Sequence, residues 1–255
     1  MSDDSIPTKQ TTIRYTFDAG SARHRIGLIV LSTDEATERD FHYMLPARDV
    51  MFFSSRVVSM NPITIENLRA MAPRLTQAAA QILPDSPLDV IAYSCTSGTV
   101  ALGYDTVVEQ IQAGRPGTPV VTPITAAIAG FRKLGVTKIS LLTPYIDSVN
   151  QPMRQFLEHH GISVLNIGSF CLESDLDMAR LPPEAIHAAA LETCHPKAEG
   201  LFISCTALRA AQTVASLEQA LKVPVISSIQ CLFWESLRRT GYQHAITGYG
   251  SLLHC

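Results

Sequence analysis

Val90-Ile91-Ala92-Tyr93-Ser94-Cys95-Thr96-Ser97-Gly98-Thr99 decides how this chain is read. Four apolar or aromatic residues run straight into Ser-Cys-Thr, and a helix-forming segment follows at once. That is a buried strand delivering a cysteine to its C-terminal end, where open α/β sheets collect their ligands. Gly200-Leu201-Phe202-Ile203-Ser204-Cys205-Thr206-Ala207-Leu208-Arg209 then repeats strand, Ser-Cys-Thr and helix. Two thiols in matching contexts are expected to face one another across a single active site, with Cys95 and Cys205 as the catalytic pair.

Working outward, strands alternate with helices along the chain, as in βαβ units. Ile26 to Leu31 is a continuous apolar run, expected where both faces of a sheet are covered. The segments expected after it are a strand at 50–53, a helix from Asn61-Pro62 to Leu83, strand 88–93, helix 97–113, strand 118–121 and helix 123–134. The pattern restarts with strand 138–142, helix 147–159, strand 162–167, an irregular acidic stretch 169–182, a helix to Thr193, strand 200–204, helix 207–221, strand 223–226 and helix 228–240. Thr118-Pro119-Val120-Val121 answers Val223-Pro224-Val225-Ile226, and Arg132-Lys133-Leu134-Gly135 answers Arg238-Arg239-Thr240-Gly241. The expected fold is therefore α/β: two similar Rossmann-like lobes with parallel four-stranded sheets, related by a pseudo-twofold, with the active site between them. Expected boundaries are an N-terminal arm over 1–24 with a short strand at Thr12 to Phe17, lobe 1 over 25–122 with 123–135 as the crossover helix, lobe 2 over 136–242, and a tail over 243–255.

Composition narrows the function. The 255 residues are 46% hydrophobic and 17% charged with net charge −3, and no basic stripe is present, so neither nucleic acid nor an anionic membrane is an expected partner. No apolar run approaches a bilayer span and the N-terminus, with Asp3 and Asp4, lacks a signal-peptide core, so the expected location is cytoplasmic. Six cysteines in such a chain are not a disulfide framework, and none has zinc-ligand spacing. Cys171, Cys194, Cys231 and Cys255 have no echo and read as small hydrophobes. No dinucleotide fingerprint, P-loop or pyridoxal context occurs, so neither metal nor cofactor is expected.

At each Ser-Cys-Thr a helix N-terminus beside the sulfur would lower the thiol pKa and hold a carboxylate. Thr96, Ser97 and Gly98 offer hydroxyls and close backbone approach on one side, Thr206 and Ala207 on the other. Two thiols flanking a planar carbon can move a proton from one face to the other, or one can add to a double bond while its partner handles the proton.

With its two Ser-Cys-Thr strands and Thr143-Pro144-Tyr145 followed by Asn150, the chain resembles the aspartate/glutamate racemase superfamily. Within it, the likeness is to the branch of maleate cis-trans isomerase, arylmalonate decarboxylase and racemase-like ectoine-utilisation proteins, over residues 25 to about 242. The resemblance implies a Tyr145 that hydrogen-bonds a substrate carboxylate, with Asn150 and Thr33 beside it, and subunits that pair as a homo-oligomer. Where maleate isomerases carry a carboxylate-binding asparagine after the first strand, this chain has Asp34, which would repel a dicarboxylate and welcome an ammonium group, or serve only as a helix N-cap. No second carboxylate-binding asparagine aligns near Asp175-Leu176-Asp177. The expected activity is a cofactor-independent two-cysteine racemase or isomerase acting on a small, amino-bearing carboxylate of ectoine-degradation type. The alternatives are maleate cis-trans isomerase by covalent thiol addition, then a decarboxylase, then a non-catalytic binding protein.

Overall fold

The structure is a computed structural model that describes residues 6–18, 20–46 and 48–255. The first five residues of the expected arm, with Asp3 and Asp4, lie outside the described residues, as do Ala19 and Ala47. Eight strands are described: β1 (His24–Leu31), β2 (Val50–Val57), β3 (Val90–Tyr93), β4 (Val120–Val121), β5 (Lys138–Tyr145), β6 (Ser163–Leu172), β7 (Gly200–Ile203) and β8 (Val225–Ser227). The helices are α1 (Thr37–Met44), α2 (Ile65–Arg69), α3 (Ala72–Ala80), α4 (Thr96–Leu102), α5 (Tyr104–Gly114), α6 (Pro123–Lys133), α7 (Asp147–His159), α8 (Asp175–Arg180), α9 (Pro183–Thr193), α10 (Val214–Leu221) and α11 (Ser228–Arg239).

The strands form two parallel four-stranded sheets, ordered β2-β1-β3-β4 and β6-β5-β7-β8. Stripped of numbering, the two orders are identical, and individual hydrogen bonds repeat. Ser94 donates its N–H to Ile29 O and Ser204 to Leu142 O, both at 2.8 Å. Ile91 N–H bonds Pro119 O at 2.8 Å, and Leu201 N–H bonds Pro224 O at 3.0 Å. Each last strand leads into a helix through a capping box, Thr122 with Thr125 and Ser227 with Gln230. The duplicated sequence pattern is a duplicated backbone.

The core follows from the apolar strands. Ile26, Leu28, Ile29 and Val30 are wholly buried, as are Val90 to Tyr93 and Leu201 to Ile203, because helices cover both faces. At roughly 1.5–3 kcal/mol per buried large side chain, these central strands are the parts of each lobe hardest to displace.

Several expected elements differ. The helix expected to run to Leu83 is two helices, since Pro73 in the first turn of α3 has no N–H to bond back into α2. The helix expected over 97–113 breaks at Gly103, whose φ of +84° ends α4 and starts α5. Residues 169–182 are not irregular throughout: β6 reaches Leu172 and α8 occupies 175–180. Nor does a helix begin at Ala207: 206–210 is a looped turn, Ala211–Thr213 is one 3₁₀ turn, and α10 starts at Val214. Leu208, Ala210 and Ala211 are buried there and Arg209 donates to Leu181 O, so tertiary contacts outweigh local helix preference. No strand forms over Thr12 to Phe17, and residues 6–18 are exposed. Tail residues Leu252 and Leu253 are fully buried, and Leu253 O accepts from Ile246 N–H at 2.9 Å. Among the described residues no helix is long and apolar enough to cross a membrane, and no three His, Cys, Asp or Glu side chains are grouped to hold a metal.

Candidate active site

Each cysteine sits two residues beyond the end of its strand, directly after a serine, but their backbones differ. Cys95 leaves β3 with φ −148° and ψ 107° and is the N-cap of α4. Its sulfur accepts the N–H of Gly98 at 3.2 Å, as a serine oxygen would at the same position, and lies 4.0 Å from Ser97 Oγ. Tyr93, fully buried with a hydroxyl that makes no hydrogen bond of ordinary geometry, lies beside that sulfur. Cys205 leaves β7 with φ +117°, a conformation rare for any residue but glycine. With no helix N-terminus to cap, its sulfur accepts the Ala207 N–H at 3.3 Å.

The two motifs are stitched across the lobe boundary. Thr96 Oγ1 donates to Ser228 Oγ at 2.9 Å, and Ser228 Oγ accepts the Cys205 N–H at 3.0 Å. In the reverse direction, Thr206 Oγ1 donates to Ser94 O at 3.1 Å. The threonine of each motif thus spends its hydroxyl on the other lobe.

Tyr145, the last residue of β5, is buried with its hydroxyl against Cys205 and Ser97, and it feels the charge of both thiols. Asn150 stands behind it. The Asn150 amide accepts from Thr143 Oγ1 at 2.6 Å and donates to Tyr145 O at 2.8 Å, which fixes the Thr-Pro-Tyr segment.

Asp34 is almost fully enclosed. Its Oδ1 accepts the N–H groups of Ala36 and Thr37 at 2.9 and 2.8 Å, and Oδ2 accepts Thr37 Oγ1 at 2.6 Å. Because the Thr37 proton is used there, Ser94 Oγ donates to Thr37 Oγ1 at 2.7 Å, linking Asp34 to the residue before Cys95. These contacts close the turn that leads into α1, whose N-cap is Ala36 and not Asp34. Burial raises the Asp34 carboxyl to about 6, against the pull of those hydrogen bonds.

Asp175 is the site residue that the sequence pattern did not single out. It is 5% exposed, its N–H donates to Asn61 Oδ1 at 3.1 Å, and its carboxylate accepts from Thr33 of the other lobe. Burial pushes its carboxyl up, and its charge opposes ionisation of Cys95, Cys205 and Asp34 alike. The available signal was a Ser-Asp pair, Ser174-Asp175, inside a stretch with no clear periodicity.

The site is sealed: Cys95, Cys205, Tyr145, Asp34 and Asp175 are each 6% exposed or less. Burial, aided by Asp175, raises both thiols, Cys95 to about 11; the Gly98 N–H, Tyr93 and Ser97 pull Cys95 down, and Tyr145 and the Ala207 N–H pull Cys205 down. Cys95 caps a helix and Cys205 does not, so the pair is unequal in geometry despite its symmetric wording. Sequence reasoning expected lowered thiol pKa values; enclosure reverses the sign. The largest influences on either thiol, besides burial, come from hydroxyls, backbone N–H groups, Asp175 and, for Cys205, the other thiol.

This geometry has known counterparts. Maleate isomerase of Nocardia farcinica is 25% identical over 240 residues, spanning 90% of this chain and 95% of that protein. Arylmalonate decarboxylase of Bordetella bronchiseptica is 32% identical over 139 residues, 53% of this chain and 58% of that one. A solved structure of a cysteine-to-serine variant of Nocardia farcinica maleate cis-trans isomerase, with a covalently bound succinylcysteine intermediate, superposes with a TM-score of 0.82 at 23% identity, over 91% of this chain and 98% of that one. The sequence profile of the arylmalonate decarboxylase family matches residues 26–253, nearly the whole chain. With two parallel sheets of one order and a strand-borne cysteine at the end of each, the chain belongs to the arylmalonate decarboxylase family, in the branch of the aspartate/glutamate racemase superfamily that includes maleate isomerase.

Proposed function

We propose that this chain is a cofactor-independent isomerase of a small carboxylate, and that cis-trans isomerisation by covalent thiol addition fits its site best. The observation that carries the reading is the inequality of the two enclosed thiols. Cys95, at the N-terminus of α4 with the Gly98 N–H on its sulfur, is assigned as the nucleophile; Cys205, beside the Tyr145 hydroxyl and capping no helix, is assigned the proton transfer.

The steps balance without an external reagent. The Cys95 thiolate adds to one alkene carbon, and the Cys205 thiol protonates the neighbouring carbon. The former double bond, now single, rotates. The Cys205 thiolate then takes a proton back and the C–S bond breaks, releasing the trans acid and the Cys95 thiolate. The succinylcysteine in the Nocardia farcinica enzyme has the composition of such an adduct. Tyr145, against Cys205 and Ser97, is placed to hydrogen-bond a carboxylate between the thiols.

The test is mass spectrometry of a Cys205→Ser variant with maleate. A covalent adduct mapped to Cys95 is expected, with conversion to fumarate by wild type and none by Cys95→Ala. Absence of both adduct and turnover, for maleate and for singly charged cis-alkenoic acids, would sink the reading.

Asp175 favours a second reading. A dianion would sit near the buried acid Asp175, whereas an amino-bearing carboxylate would set its ammonium against it. Proton removal on one face by one thiol and return on the other by its partner would then racemise Cα, as with the ectoine-type substrates suggested by the motif wording. Deuterium uptake from heavy water into an amino acid, abolished by either cysteine variant, is the result that would favour it.

A further inference from the structure

Cys205 holds a backbone conformation that costs on the order of 1–3 kcal/mol for a residue with a side chain, so neighbouring bonds must maintain it. The bond that does so comes from an unexpected residue. Ser228 opens α11, directly after β8, the strand paired with β7. Capping of that helix is already complete without it: Ser227 Oγ accepts the Gln230 N–H, and the Gln230 side chain accepts the Ser227 N–H. The Ser228 hydroxyl, wholly buried, instead accepts the Cys205 N–H at 3.0 Å and is itself held by Thr96 Oγ1 at 2.9 Å. Thr96 directly follows the other cysteine. A two-bond bridge therefore runs from the Cys95 motif, through Ser228, to the peptide of Cys205.

We propose that Ser228 is a positioning residue for the reaction: clamped by Thr96, its hydroxyl holds the Cys205 peptide at positive φ and so sets where the Cys205 sulfur stands opposite Cys95. Without that acceptor, the Cys205 N–H is buried and unpaired, and the backbone is free to relax toward negative φ. Either change swings the Cα–Cβ bond and moves the sulfur. Near-attack geometry is unforgiving, with roughly 1 Å of displacement costing on the order of 10²-fold in rate. Thr96 gives the bridge a second purpose, since it ties the location of one thiol to the lobe that carries the other. The inference rests on Cys205 being a reacting group.

The experiment compares Ser228→Ala, Ser228→Thr and Thr96→Val by two readouts: the ratio of Cys205 to Cys95 alkylation by iodoacetamide, mapped by peptide mass, and kcat against KM. Ser228→Ala is expected to change the alkylation ratio at least fivefold through Cys205 alone. It should also lower kcat by 10- to 100-fold with KM within threefold. Ser228→Thr keeps the hydroxyl and should hold the ratio within threefold of wild type. Thr96→Val should shift the ratio in the same direction, and adding it to Ser228→Ala should do nothing more. An unchanged ratio and kcat in Ser228→Ala, or a Thr variant of wild-type Tm that shifts as far as Ala, overturns the proposal. Should Ser228→Ala fail to fold, an unchanged ratio in Thr96→Val overturns it. The alkylation arm needs no substrate. A failed turnover assay for wild type therefore counts against the proposed reaction, and the ratio still decides the role of Ser228.

Discussion

Gly98→Ala is the sharpest test of how the Cys95 side of the site is built. A methyl at Gly98 would stand 2.7 Å from Cys95 Sγ, 2.8 Å from the Tyr93 hydroxyl oxygen and 3.1 Å from Met71 Cε. Ordinary contacts between such atoms begin near 3.5 Å, so sulfur and hydroxyl must each retreat by roughly 1 Å. Both are buried, Tyr93 completely, and neither has room to swing clear. Overpacking of this kind costs about 1–3 kcal/mol, while alanine in place of glycine inside α4 returns about 0.5–1. A net loss of about 1–2 kcal/mol in a chain of this size lowers Tm by about 2–8 °C, leaving a folded protein. Activity should suffer far more, because the displaced atom is the proposed nucleophile: about 100-fold in kcat, or about 2.7 kcal/mol of barrier. The assay pairs a thermal melt with kcat and with the alkylation rate of Cys95. Turnover within twofold of wild type, with unchanged Cys95 alkylation, would show that the sulfur does not react from this position.

Two further outcomes concern the acids. Asp34 titrates near 6 in the folded chain against an ordinary 3.8, so the folded state binds the extra proton between those values. Stability should therefore fall as pH rises from about 4 to 6, by at most about 3 kcal/mol, and Asp34→Asn should flatten that slope in urea melts at stepped pH; an identical slope in the variant would assign the titration elsewhere. Asp175→Asn removes a charge that opposes both thiolates, so both cysteines should alkylate faster at neutral pH, and affinity for a dianionic carboxylate should rise about tenfold or more in competition assays. Unchanged affinity for dianions would remove the argument for an amino-bearing substrate.

What could be read from residues alone was the part governed by short periodicities. Apolar runs such as Ile26 to Leu31 marked the strands, and the repeated Ser-Cys-Thr marked the duplication and paired Cys95 with Cys205, whereas Tyr145 came only from the family resemblance. Breaks set by single residues were legible in principle, as Pro73 and the positive φ of Gly103 show. The turn after Cys205 was not, because the contacts that prevent a helix there come from Leu181 and the buried surface beneath Leu208. Asp175 and Ser228 were invisible for the same reason: each acts through a partner distant in sequence, Thr33 and Thr96 respectively. The thiol pKa values were misjudged because a helix N-terminus is local, whereas enclosure depends on both lobes at once.

The seal over the site sets a toll on every turnover. Thr33 with Asp175, Asn61 with the Asp175 N–H, and Ile63 N–H with Glu173 O at 2.8 Å join loops of opposite lobes above the thiols. At about 1 kcal/mol for each such bond, parting them leaves roughly one molecule in a hundred open at any instant. Apparent affinity for any substrate is then weaker than the intrinsic affinity of the open form by about that factor. Encounter becomes a sampling problem, decided by how often the lobes gape, and the same rarity that slows entry keeps a half-reacted thioether from being lost to water.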